Sequence, residues 1–185
     1  PDNRRFMEKF SHFLESLSEW SGRAIAWLTL LMVLITFAVV VLRYGFDSGW
    51  IGLQEVITYL HAMVFMLGAA YTLRHEGHVR VDIFYQRFGP RGQALVNLLG
   101  TLLLLWPMCL FIAYISWEYV AVSWERLETS NEPGGLPFVY LLKSLLILMP
   151  LLLMLQGLAQ VLQSLQLLRG RQVASGDAQH RHEVL

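Results

Sequence analysis

The sequence predicts an all-α membrane protein: four transmembrane helices preceded by an amphipathic interfacial helix, with the N and C termini cytoplasmic. Three observations carry this. Hydrophobic residues make up 55% of the chain and charged residues only 15%, against about 25% charged in a soluble domain; mean hydropathy is +0.47. Four stretches reach the roughly 20 apolar residues that a helix needs to cross about 30 Å of hydrocarbon: Ala24 to Leu42, Leu53 to Leu73, Ala94 to Trp117 and Phe138 to Leu168. Lys and Arg then fall almost entirely on one side of those spans, and cytoplasmic loops collect basic residues.

The chain divides into an interfacial segment 1–23, a transmembrane domain 24–168 and a tail 169–185. In the first segment, "RRFMEKFSHFLESLSEW" places Phe6, Phe10, Phe13, Leu14, Leu17 and Trp20 at helical spacing on one face. Such a helix suits the inner membrane interface, with packing against a soluble partner as the alternative. The first span is too long for a signal-peptide core and no small-residue cleavage pattern follows it. Arg43 closes it.

Span two carries the most polar pattern. Gln54, Thr58, His61, Phe65, Gly68 and Thr72 step by fours and threes along one face, with Glu55 near the outer end. Helices in lipid associate through small residues and polar hydrogen bonds, so this face is expected against protein. His61, near the bilayer middle, is either a neutral imidazole bonded to a neighbouring helix or a proton-handling group. The connector that follows, "RHEGHVRVDIF", concentrates Arg74, His75, Glu76, His78, Arg80 and Asp82 between two spans.

Span three contains Trp106, whose ring N–H is expected to seek a partner, Pro107, expected to kink the helix, and Cys109, a small packing residue. The connector after it is acidic, with Glu118, Glu125, Glu128 and Glu132 on the outer side. Arg43, Arg126 and Lys143 are the only basic residues there. Span four aligns Gln156, Gln160 and Gln163 toward the cytoplasm and contains Pro150, which is also expected to kink its helix. Its thirty or so residues rise about 45 Å, more than the lipid core requires. The tail "RGRQVASGDAQHRHEVL" has no apolar face and is expected to be flexible.

Several chemistries find little support. A net charge of zero gives no electrostatic case for nucleic acid. His75, Glu76 and His78 lack further ligands nearby for a metal site. His61 is the only histidine within a span, which disfavours a bis-histidine haem, and no phosphate-binding glycine loop or nucleophile–base pair occurs. The chain does not read as an enzyme and calls for no cofactor. Two alternatives to a partner-bound subunit remain: a stand-alone proton-coupled carrier using Glu55 or His61, and a membrane anchor of a redox complex.

The stretches "VVLRYGFDSGW", "LQEVITYLHAMVFMLGAAYTLRHEGHVRVDIFYQRF" and "GGLPFVYLLKSLLILMPLLLMLQGLAQ" resemble the small membrane subunit of tripartite ATP-independent periplasmic (TRAP) transporters. The likeness rests most on Arg43, Glu55, Gly68 to Ala70, Arg74 and His78 to Asp82, and spans about residues 24 to 168. It implies a bacterial inner-membrane subunit of a sodium-coupled, binding-protein-dependent transporter for organic acids. In such a system a large elevator-type permease holds the substrate and sodium sites, a periplasmic substrate-binding protein delivers the substrate, and the small subunit is a stationary scaffold. On that resemblance Arg43, Glu55, Thr58, His61, Gly68, Arg74, His78, Arg80, Asp82, Lys143, Gln156 and Gln160 are the expected structural or partner-facing residues. Arg74 and Arg80 would hold their connector at the inner lipid surface, and Asp82 would pair with one of them or with a basic partner residue. Glu118, Glu125, Glu128 and Glu132 are the expected docking surface for the binding protein.

Overall fold

In the computed structural model the described backbone covers residues 2–74, 85 and 87–168, and the described side chains residues 22–73, 85 and 87–168. The elements are α1 (Asp2–Gly45), α2 (Ile51–Arg74), α3 (Pro90–Gly100), a π-helical turn (Thr101–Leu105), α4 (Trp106–Glu125) and α5 (Val139–Leu168). No strand occurs among the described residues. Among the described residues four segments are long and apolar enough to cross a membrane: Gly22–Gly45, Ile51–Leu73, Pro90–Glu125 and Val139–Leu168. The chain is a multi-pass helical membrane protein.

The first helix runs without a break from Asp2 to Gly45. At 1.5 Å per residue its 44 residues extend about 66 Å, roughly twice the hydrocarbon thickness. The N-terminal segment and the first span are therefore one continuous helix. Its end is made by Phe46 and Ser48, whose N–H groups close on the Leu42 carbonyl at 3.2 and 3.0 Å, with Asp47 left-handed at φ 48°.

Span three is interrupted where the sequence places Pro107. Pro107 has no N–H and its ring crowds the carbonyl one turn earlier. The helix answers by widening over Thr101–Leu105, and the Trp106 N–H bonds back to Thr101 O, five residues away. Pro150, by contrast, lies within α5 and is almost fully buried, and the helix runs on through it without interruption.

The spans pack in single file. α1 lies on α2, α2 on α5, and α5 on both α3 and α4; α1 reaches α5 only marginally. The core follows that order. Most of its buried residues, among them Ala94, Thr101, Cys109, Ser123, Gly157 and Ser164, sit on the third and fourth spans, where backbones approach closely, while Gly52 and Leu60 are buried on the second. No residue of α1 from 22 to 45 is buried. Hydroxyls within the spans return to their own helix: Thr29 to Ile25 O, Thr36 to Met32 O, Thr72 to Gly68 O and Ser144 to Tyr140 O, all at 2.7–2.9 Å. That satisfies each where lipid offers no partner.

Candidate partner-facing surfaces

The acidic end is organised by the connector 126–138. α4 stops in a left-handed turn: Leu127 has φ 45°, its N–H reaches Trp124 O at 3.2 Å, and the Glu128 N–H reaches Ser123 O at 3.0 Å. That turn aims Glu128 at α5, where its carboxylate accepts a hydrogen bond from Lys143 Nζ at 2.5 Å. The ammonium also lies 3.9 Å from the centroid of the Tyr119 ring. Lys143 holds Glu128 below the usual carboxylate range. Beside them Trp124 donates its indole N–H to Ser144 Oγ at 2.7 Å and meets Tyr140 edge to face at 4.8 Å.

Glu55 fastens the same connector to α2. One carboxylate oxygen accepts the Ser130 hydroxyl and the other accepts the Leu136 N–H at 2.6 Å. Two expected residues, Glu128 and Lys143, are thus brought together, and a third, Glu55, holds the far side of the same loop. Ser130, Gly135, Leu136 and Tyr119 complete these contacts and are not among the expected site residues; the "SNEPGGLP" run is the available signal, since adjacent glycines before a proline mark a constrained turn. Among the acidic residues, Glu118, Glu125 and Glu132 are exposed, while Glu128 is partly covered by its ion pair. Arg43 is exposed at the end of α1 and lines a small cleft with Ser48, Trp50 and Gln54.

The polar face of α2 is bare at its centre. Thr58, His61 and Phe65 are exposed, with Phe65 at 70%, and neither Thr58 nor His61 has a hydrogen-bond partner among the described residues. Nearer the basic end the face turns inward, where Gly68 packs toward Ile25 of α1. Next to the bare patch, Met32, Val33, Thr36, Phe37, Val40 and Ile57 line an open apolar groove of about 470 Å³ between α1 and α2.

At the basic end Gln156 and Gln160 line a polar cleft of about 250 Å³ with Tyr85, Gln93, Asn97 and Gln163. Asn97 donates to the Tyr85 hydroxyl at 2.9 Å, and the Thr101 hydroxyl lies 3.4 Å from Gln160 Oε1. The Trp106 indole N–H has no acceptor among the described residues and faces Gly157 instead. The side chain of Arg74, and His78, Arg80 and Asp82 entirely, lie outside the described residues, as do His75, Glu76 and the tail.

These features define a small helical membrane protein that leaves polar groups facing outward at mid-span. The chain belongs to the family of the tripartite ATP-independent periplasmic transporters, DctQ component, whose model matches residues 32–167. It is 32% identical over 130 residues, 68% of this chain and 80% of the relative, to a Haemophilus influenzae protein designated a TRAP transporter small permease protein. No solved structure matches. The family is one of transporter components, not of enzymes.

Proposed function

We propose that this chain is the small permease subunit of a binding-protein-dependent, sodium-coupled transporter for organic acids in the bacterial inner membrane. It acts as a fixed scaffold for a large elevator-type permease, which carries the substrate and sodium sites, and this chain needs no cofactor of its own. The observation that carries the reading is the uncovered Thr58–His61–Phe65 face of α2. A polar group facing hydrocarbon at mid-span is unfavourable by several kcal/mol when unsatisfied, on the order set by model transfer data. A second protein lying along α2 relieves that cost, and family membership supports the large permease as that protein.

The end bearing Glu118, Glu125, Glu128 and Glu132 is the outer face in this reading and meets the substrate-binding protein. The exposed three, Glu118, Glu125 and Glu132, contribute the docking charge, whereas Glu128 is committed to Lys143. Arg74, His78, Arg80 and Asp82 hold the opposite connector at the inner lipid surface and against the permease. Gln156 and Gln160 supply a second polar contact region at that end. A stand-alone carrier using Glu55 gains no support from the geometry, because both carboxylate oxygens are engaged by the connector.

Reconstitution tests the proposal. In liposomes the chain alone should pass no organic acid. With the large permease, the binding protein and an inward sodium gradient, uptake should appear. A cysteine at Thr58 or His61 should crosslink to the large permease equally well with and without substrate, as a stationary contact requires. Solute flux through the chain alone overturns the scaffold assignment.

A further inference from the structure

The connector between α4 and α5 is longer than its task. α4 and α5 already lie side by side, and neighbouring antiparallel helices are usually joined by about 2–8 residues. Here residues 126–138 intervene, and they reach across to α2 rather than turning directly into α5.

The extra length forms a closed ring. The Ser130 N–H donates to Leu136 O at 3.0 Å, the Gly135 N–H donates to Glu132 O at 3.0 Å, and the Glu132 N–H donates to Ser130 Oγ at 3.2 Å. The Glu55 carboxylate enters the mouth of this ring from below and accepts from Ser130 Oγ and from Leu136 N. Hydrogen bonds to an ionised carboxylate are roughly twice as strong as neutral ones. Glycine makes the approach possible. Gly134 is left-handed at φ 79°, and a Cβ on Gly135 would collide with Ser130 and stand 2.9 Å from Glu55 Oε1. Above this base the rim residues Asn131, Glu132, Pro133 and Gly134 are exposed.

We propose that Glu55 is a positioning residue that holds the 130–136 ring as a preformed docking platform for the basic surface of a periplasmic binding protein. The proposal rests on the outer-face reading given under Proposed function. A loop already in its bound conformation does not lose conformational freedom on association. When only a fraction of loops is competent, the apparent dissociation constant rises by the inverse of that fraction. Glu55 therefore acts on the encounter with the binding protein and not on the translocation step.

The full transporter in proteoliposomes, titrated with its soluble binding protein, tests this. Glu55→Ala should raise the half-saturating concentration of binding protein about three- to tenfold, with the maximal rate and co-purification with the large permease unchanged. Glu55→Gln, which keeps an acceptor for the Leu136 N–H, should give a smaller rise. Gly135→Ala disturbs the same contact from the loop side without altering α2, and should match Glu55→Ala; it decides the matter if Glu55→Ala does not assemble. Half-saturation unchanged in Gly135→Ala, or a loss confined to the maximal rate, overturns the proposal. Impermeant labelling that places Glu132 on the inner side of the membrane overturns the outer-face reading instead, so the two failures are separable.

Discussion

A Cβ added to Gly157 would stand 2.9 Å from the Trp106 indole nitrogen and 3.0 Å from both Leu105 and Thr101 side-chain carbons. The fourth span thus seats the π-helical turn of the third directly against its backbone. Gly157→Ala should lower the thermal unfolding midpoint in detergent and be destabilising by about 1–3 kcal/mol, the usual range for overpacking. A midpoint equal to wild type would mean that the turn moves aside at no cost.

His61 faces outward, so replacing it removes nothing that the chain's described residues use. His61→Leu should leave the melting of the isolated chain unchanged or slightly raised. Yield of the complex captured through the tagged large permease should fall several-fold, since a polar contact between membrane helices is worth about 1–2 kcal/mol at most. Full capture of the variant would remove His61 from the partner interface.

Glu128 gives a pH signature of definite sign. Its folded-state affinity for protons is lowered chiefly by the hydrogen bond from Lys143, while in the unfolded chain it titrates in the ordinary carboxylate range, about 4.3. The contribution of the pair is therefore complete above that range and fades as the pH falls through the lower folded value. Wild type should melt above Glu128→Gln at neutral pH, with a gap that stays level down to about pH 5 and closes only at stronger acidity. A gap that closes between neutrality and pH 5 would contradict the pairing.

The membrane orientation can be read by labelling. In a Cys109→Ala background, which removes a buried thiol, a cysteine at Glu132 should react with an impermeant maleimide added to intact cells or right-side-out vesicles. A cysteine at Arg91 should react only after the membrane is opened. The reverse pattern would invert the assignment of inner and outer faces.

Spans, their order and the transporter family were legible because hydropathy and the motifs around Arg43, Glu55 and His78 are local signals. The α2 face was legible in part. The steps of three and four did put Thr58, His61 and Phe65 together, yet only packing could reveal that nothing among the described residues covers them. The contacts of Glu55 were out of reach from sequence, because Leu136 lies 81 residues away and offers a backbone N–H that no side-chain pattern reports. Pro107 announced a disturbance, but its form was not foreseen. A π-turn adds one residue to the helical count, so a wheel drawn through residues 90–125 slips by about 100° at that point and the two halves of the span no longer share one stripe. Trp106 likewise has its ring nitrogen against Gly157 where an acceptor was expected.

Because the spans stand in single file, the chain has the thickness of a wall and not of a barrel. A wall encloses no lumen. On the proposed scaffold reading, a solute's route through the assembly would be bounded on at least one side by the large permease, and widening or narrowing it would be the permease's motion.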